Sequence, residues 1–153
     1  MGKWTDNFVT GSENKIKEFK LLYESAEGKH KTMKQLAKML DDTCDTITEI
    51  QAEAHKKNPL LDDAALEVLP EVKAGIKQLQ AVSAKRSQAR SEYDETVKKF
   101  KKTYEEIEKA YDVFKKHIDS KSKKSGWYNK SHKKASDALE KTKKFLDLYK
   151  KQI

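Results

Sequence analysis

Residues 93–118, YDETVKKFKKTYEEIEKAYDVFKKHI, place Tyr93, Val97, Phe100, Tyr104, Ile107, Tyr111, Phe114 and Ile118 at alternating gaps of four and three. Of the 18 residues between them, 13 are Lys, Glu or Asp. A period between 3 and 4 puts these apolar side chains on one side of an α-helix and the charges on the other. A strand would need a period of two, and no such alternation occurs here. This segment therefore fixes the fold class as all-α and its packing as the coiled-coil type, in which each helix buries a narrow seam.

The same spacing extends backward through Leu69, Val72, Ile76 and Leu79. It fails only at Ser83, Arg86 and Arg90, three consecutive seam positions, so the seam changes once rather than at scattered places. The small residues Ala81, Ala84 and Ala89 at that point predict a close helix crossing. Upstream, Ile16, Phe19, Tyr23, Ala26, His30, Met33, Ala37, Leu40, Cys44 and Ile47 form a first seam. Ser12 is its expected N-cap, and Lys56-Lys57 before Asn58-Pro59 mark its end. Asp62 or Asp63 can cap the second helix, and Pro70 predicts a restart or a kink one or two turns into it. After the polar turn Asp119–Gly126, DSKSKKSG, a third amphipathic helix carries Ala135, Leu139, Thr142, Phe145 or Leu146, Tyr149 and Ile153.

The expected organisation is a short N-terminal amphipathic segment, 1–11, and one helical domain, 12–153, with helices at about 13–57, 63–119 and 127–152. Short connections make neighbouring helices antiparallel. The third helix covers only the far end of the second, so much of the first two seams faces water in a lone chain. A partner must cover it, and a homodimer is the expectation, with a heterodimer also open.

Composition agrees. The chain is 36% hydrophobic and 38% charged, with 5 Gly and 2 Pro in 153 residues, which suits long helices better than a thick globular core. One cysteine excludes an internal disulfide and fits a reducing compartment. No apolar run reaches the roughly 18 residues of a transmembrane helix, and the first residues lack the apolar core of a signal peptide. Met1-Gly2 is followed by Asp6 where a myristoylation signal has Ser or Thr. A soluble cytoplasmic protein is expected.

The net charge of +8 is unevenly spread. Residues 1–97 hold 15 Lys and Arg against 17 Asp and Glu, while residues 98–153 hold 18 against 8, a net of +10. Such polarity points to a polyanion, either a membrane surface or nucleic acid. The candidate contacts are Lys99, Lys102, Lys109 and Lys116 along one side of the second helix, interrupted by Glu106. Arg86 and Arg90 extend the stripe, Lys115, Lys121, Lys123 and Lys124 surround the turn, and Lys130, Lys133 and Lys134 follow it. Each can equally be a solvated helix face. Trp4 and Phe8, with Val9, form a small apolar face that either inserts into lipid or folds back on the helices. His30 and Cys44 lie on a seam and are expected to pack. His117 and His132 flank the turn without a metal-ligand set around them, and no phosphate loop, dinucleotide fingerprint or acid–base pair is present. No cofactor, small-molecule substrate or catalytic activity is expected.

Several stretches in collinear order resemble the BAR (Bin/amphiphysin/Rvs) domain family. Leu69-Pro70-Glu71-Val72-Lys73 is similar to the family's kink in its second helix. Ile76, Ala84-Lys85-Arg86-Ser87 and Glu92-Tyr93-Asp94 resemble the basic run and acidic-aromatic motif that follow it. Glu108-Lys109-Ala110-Tyr111 with Val113-Phe114 resembles the opening of helix three, and Phe19 with Glu24, Glu27 and Gly28 the start of helix one. The chain is tens of residues shorter than usual members, which implies shortened arms. The resemblance implies an antiparallel dimer whose basic surface binds anionic phospholipid and senses or generates curvature in endocytosis-type remodelling. Its seam would comprise Phe19, Tyr23, Met33, Leu40, Ile47, Leu69, Val72, Ile76 and Leu79. Two other readings stay open: a coiled-coil adaptor for another helical protein, and a basic nucleic-acid-binding protein. The latter is disfavoured because the aromatics lie on the seam and only two arginines are present.

Overall fold

A computed structural model describes residues 2–122 and 130–153, and the side chains of residues 3–120 and 132–153. Four α-helices account for nearly all of it: α1 Gly2–Lys57, α2 Asp63–Glu67, α3 Pro70–Ser122 and α4 Lys130–Tyr149, the last running into a 3₁₀ turn, Lys150–Gln152. Among the described residues there is no strand. Backbone contacts divide the chain into two compact units, Met1–Ser25 with Thr96–Ile153, and Ala26–Glu95.

In the first unit the core is aromatic. Phe19, from α1, is fully buried. Its ring meets Phe100 of α3 edge-on at 5.5 Å and Phe145 and Tyr149 of α4 at 5.2 and 4.9 Å, with Tyr23 at 6.0 Å and Tyr104 at 6.1 Å. Aromatic pairs in this range add favourable quadrupole contacts to the area they bury. The Tyr104 hydroxyl donates to the Leu146 carbonyl at 2.7 Å, satisfying one of the last-turn acceptors of α4 that has few helical partners. Burial, aided by the Glu108 and Asp147 carboxylates, raises the Tyr104 pKa above 10.0. A second cluster joins Phe8, Phe114, Ile118 and Ala135, with Phe8 stacked on Phe114 at 4.3 Å. Pairing Trp4 with His117, Phe8 with Phe114 and Phe19 with Phe100 makes α1 and α3 antiparallel in this unit.

The second unit is thinner. Ala26, Val72 and Val82 are its buried apolar side chains, whereas Tyr93, Met33, Leu40, Ile47, Leu69, Ile76 and Leu79 are only half-buried. Two helices side by side can cover only a narrow line of each other. His30 and Cys44, expected to pack, are exposed, although the His30 ring lies 5.6 Å from Tyr93. α1 comes close to α3 at Gly75, where a Cβ would sit 2.7 Å from Ile47 Cγ1. Of Ala81, Ala84 and Ala89, where the crossing was expected, the first two are exposed and Ala89 is half-buried.

Connections follow local chemistry. The Asp62 carboxylate accepts from the Ala65 N–H at 2.8 Å and caps α2. Pro70 occupies the first position of α3, where its missing N–H costs nothing, and the Lys73 N–H bonds to the Leu69 carbonyl at 2.9 Å. Of the restart or kink expected at Pro70 within the 63–119 helix, the structure has the restart: a short helix, a break at Val68-Leu69, and α3 beginning at Pro70.

The N-terminal boundary also differs from expectation. α1 passes through Gly11 and Ser12 without interruption, so no separate 1–11 segment exists and Ser12 is not a cap. Thr5, Phe8, Ser12 and Phe19 are all buried and continue the seam at gaps of three, four and seven. Ser12 Oγ is buried without a hydrogen-bond partner. Where the second seam fails, at Ser83, Arg86 and Arg90, all exposed, the buried stripe has moved to Val82 and then runs through Thr96 and Thr103. Thr103 and Thr142 satisfy their hydroxyls on the carbonyls four residues back, at 3.0 and 2.9 Å.

Two stability measurements test this packing. Phe19→Ala should cost about 3–5 kcal/mol in urea unfolding followed by circular dichroism, the range for emptying a buried aromatic site. A loss under about 1 kcal/mol, the size of an ordinary surface change, would mean that the cluster does not hold the unit together. Ser12→Ala should stabilise by about 1 kcal/mol, because it removes an orphaned hydroxyl and inserts a better helix former. A loss of the same size would restore Ser12 to the capping role.

Candidate functional site

The aromatic core of the first unit turns the lysines of α3 and α4 outward. Lys99, Lys102 and Lys109 are exposed along α3, with Lys115 and Lys116 near its end, and Lys133 and Lys134 are exposed on α4. Lys141, Lys143 and Lys144, which were not singled out, extend the basic surface along α4. Arg86 and Arg90 are exposed in the second unit. Lys123 and Lys124, with Trp127 and Tyr128, lie outside the described residues, and Lys121 and Lys130 are described in backbone only.

Glu106, the acid within the α3 stripe, does not act as a free negative charge. Lys15 of α1 reaches across to it, Nζ to Oε2 at 2.6 Å, and also lies 3.5 Å from Glu18. The hydrogen bond from Lys15 holds the Glu106 carboxyl below its usual 4.5, against a desolvation effect in the other direction, with Lys15, Lys102 and Lys109 adding attraction. The same bond raises Lys15 above 10.5. Both side chains remain about two-fifths exposed, so water and salt screen the pair. Its favourable contribution exists above the ordinary carboxyl pKa and fades as pH falls through the lowered one. At the alkaline end it persists below 10.5 and fades as pH rises through the raised lysine value. Lys134 is likewise partnered, with Asp6 at 2.7 Å.

Trp4 and Phe8, read from sequence as either inserting or folding back, lie on the bundle. Phe8 is buried, and Trp4 is 50% exposed with its ring stacked on His117 at 4.0 Å. The signal for this was present in the spacing of Thr5, Phe8 and Ser12. Gly11 masked it by resembling a break, although a glycine inside a long helix costs only about 1 kcal/mol.

Among the described residues, no three His, Cys, Asp or Glu side chains gather where they could hold a metal ion, and no helix is long and apolar enough to cross a membrane. The chain matches no protein-family model, and neither a curated protein nor a solved structure matches it.

The Lys15–Glu106 pair has a direct solution test. In Lys15→Met, the Glu106 carboxyl should titrate closer to 4.5, upward from its position in the unaltered protein, as followed by carboxyl NMR. An unmoved midpoint would show that the pair does not form in solution.

Proposed function

We propose that this chain is a non-catalytic helical protein that binds anionic membrane surfaces as a homodimer and senses or generates curvature there, in the manner of the BAR family it resembles. The observation that carries the reading is the first unit's exposed lysine surface. Residues 98–153 hold a net +10, and α3 and α4 direct Lys99, Lys102, Lys109, Lys116, Lys133, Lys141 and Lys144 to solvent around a buried aromatic core. Each such charge near an anionic leaflet contributes about 1 kcal/mol, so a handful acting together give useful, salt-sensitive binding.

A membrane suits this surface better than nucleic acid does. Phe100, Tyr104 and Phe114, aromatics interleaved with the lysines in sequence, are buried, so bases cannot stack on them. Dimerisation is supported by the second unit, where Met33, Leu40, Ile47, Ile76 and Leu79 form a half-covered apolar stripe. That same stripe is what a coiled-coil adaptor would offer another helical protein, and it keeps this alternative in play. The proposed setting is the cytoplasmic face of membranes undergoing endocytosis-type remodelling.

Vesicle co-sedimentation tests the reading, on protein whose solution mass is measured in the same session. A dimer should pellet with vesicles containing phosphatidylserine, remain in solution with phosphatidylcholine alone, and be released by high salt. Reversing Lys102, Lys109 and Lys116 to Glu should weaken binding by roughly 100-fold or more. A monomer, or a dimer indifferent to anionic lipid, sinks the membrane reading and favours the adaptor.

A further inference from the structure

On the first unit, α1 and α3 leave an open groove lined by Trp4, Asn7, Phe8, Ala110, Val113 and Phe114, with Lys109 beside them. Its volume is about 490 Å³, within the range of sites that hold a small amphiphile. Lys109 is the one charged side chain among the described residues lining it. Two large apolar side chains stand open to water at its mouth, Trp4 at 50% and Val113 at 58% exposure. They lie on either side of the groove, one on each helix. Of the acids near it, Asp6 pairs with Lys134 and Glu106 with Lys15, while Glu105, Glu108 and Asp112 are exposed on the Lys109 stretch of α3.

We propose that this groove takes one acyl chain of an anionic bilayer phospholipid, whose phosphate pairs with the Lys109 ammonium. The inference rests on the membrane reading above and extends it from a charged surface to a lipid-specific site. Three features of the groove match an anionic lipid together. Its floor is apolar and aromatic, which suits a methylene chain. Its single cation, Lys109, is exposed, where a headgroup in water can reach it. Trp4 combines an apolar ring with a polar N–H, the chemistry that favours the bilayer interface. An amphipathic peptide helix would present charges of its own along the groove, and only Lys109 is there to meet them. The groove is formed with α1 still packed on α3, so the lipid chain enters the protein while Phe8 stays stacked on Phe114.

The test uses the full chain with Trp127→Phe, which leaves Trp4 as its only tryptophan. The probe is phosphatidylserine–phosphatidylcholine vesicles brominated along the acyl chains, at lipid concentrations that pellet every variant fully. Trp4 emission should be strongly quenched relative to unbrominated vesicles. Ala110→Phe, which fills the groove from an exposed position, should remove most of that quenching while the protein still pellets. Below saturation, its vesicle affinity should fall by roughly tenfold, because the open apolar lining at Trp4 and Val113 is then left in water. Val113→Asp, at a solvent-facing site that folding does not depend on, should act in the same direction with unchanged helix content. Protein that pellets with Trp4 unquenched overturns the inference and leaves the membrane reading standing. Quenching that survives Ala110→Phe also overturns it, because Trp4 then meets lipid outside the groove. Failure to pellet at all overturns both.

Discussion

One ring, Phe19, is the point on which the first unit turns. It is fully buried, and aromatic side chains of α1, α3 and α4 close around it within about 6 Å. A chain with 38% charged residues has little else to bury. Long helices of such composition draw their stability from packing of a face rather than from propensity alone. The cluster gathers the scarce large apolar surface in one place and leaves α3 and α4 with polar exteriors.

The basic surface follows from that packing. With Phe100, Ile107 and Phe114 turned inward, Lys102 and Lys109 between them are exposed. Glu106 would break the stripe, and Lys15 offsets it from the neighbouring helix at 2.6 Å. In the second unit, where the five-residue α2 is the one helix besides α1 and α3, the apolar line from Met33 to Ile47 and from Leu69 to Leu79 stays half open. The difference in burial between the two units reflects how many neighbours each helix has. Residue type differs as well: of the 13 Phe, Trp and Tyr residues, only Tyr93 belongs to the second unit.

The first turns of α1 show how a single residue can mislead. Gly11 followed by Ser12 reads as a break and a cap, yet the helix runs straight through both. Phe8 and Trp4 then reach Phe114 and His117, and that contact, rather than a free amphipathic segment, forms the wall of the open groove. Packing of Phe8 against α3 and α4 outweighs the modest helix penalty of one glycine.

Sequence alone determined the all-helical class, the seam of Phe19, Phe100, Ile107 and Phe114, the stop at Asn58-Pro59, the restart near Pro70 and the charge polarity. Each is set by local rules: a period of 3.6 residues, the fixed φ of proline, and composition. Tertiary structure decided which flank of a seam is buried. The shift from Ser83 and Arg90 to Val82, Thr96 and Thr103, the burial of Ser12, the exposure of His30 and Cys44, and the Lys15–Glu106 pair all depend on residues far away in the chain. Periodicity specifies a line along a helix, but the width of the buried face is set by the helices that come to lie against it, and no local pattern encodes their number.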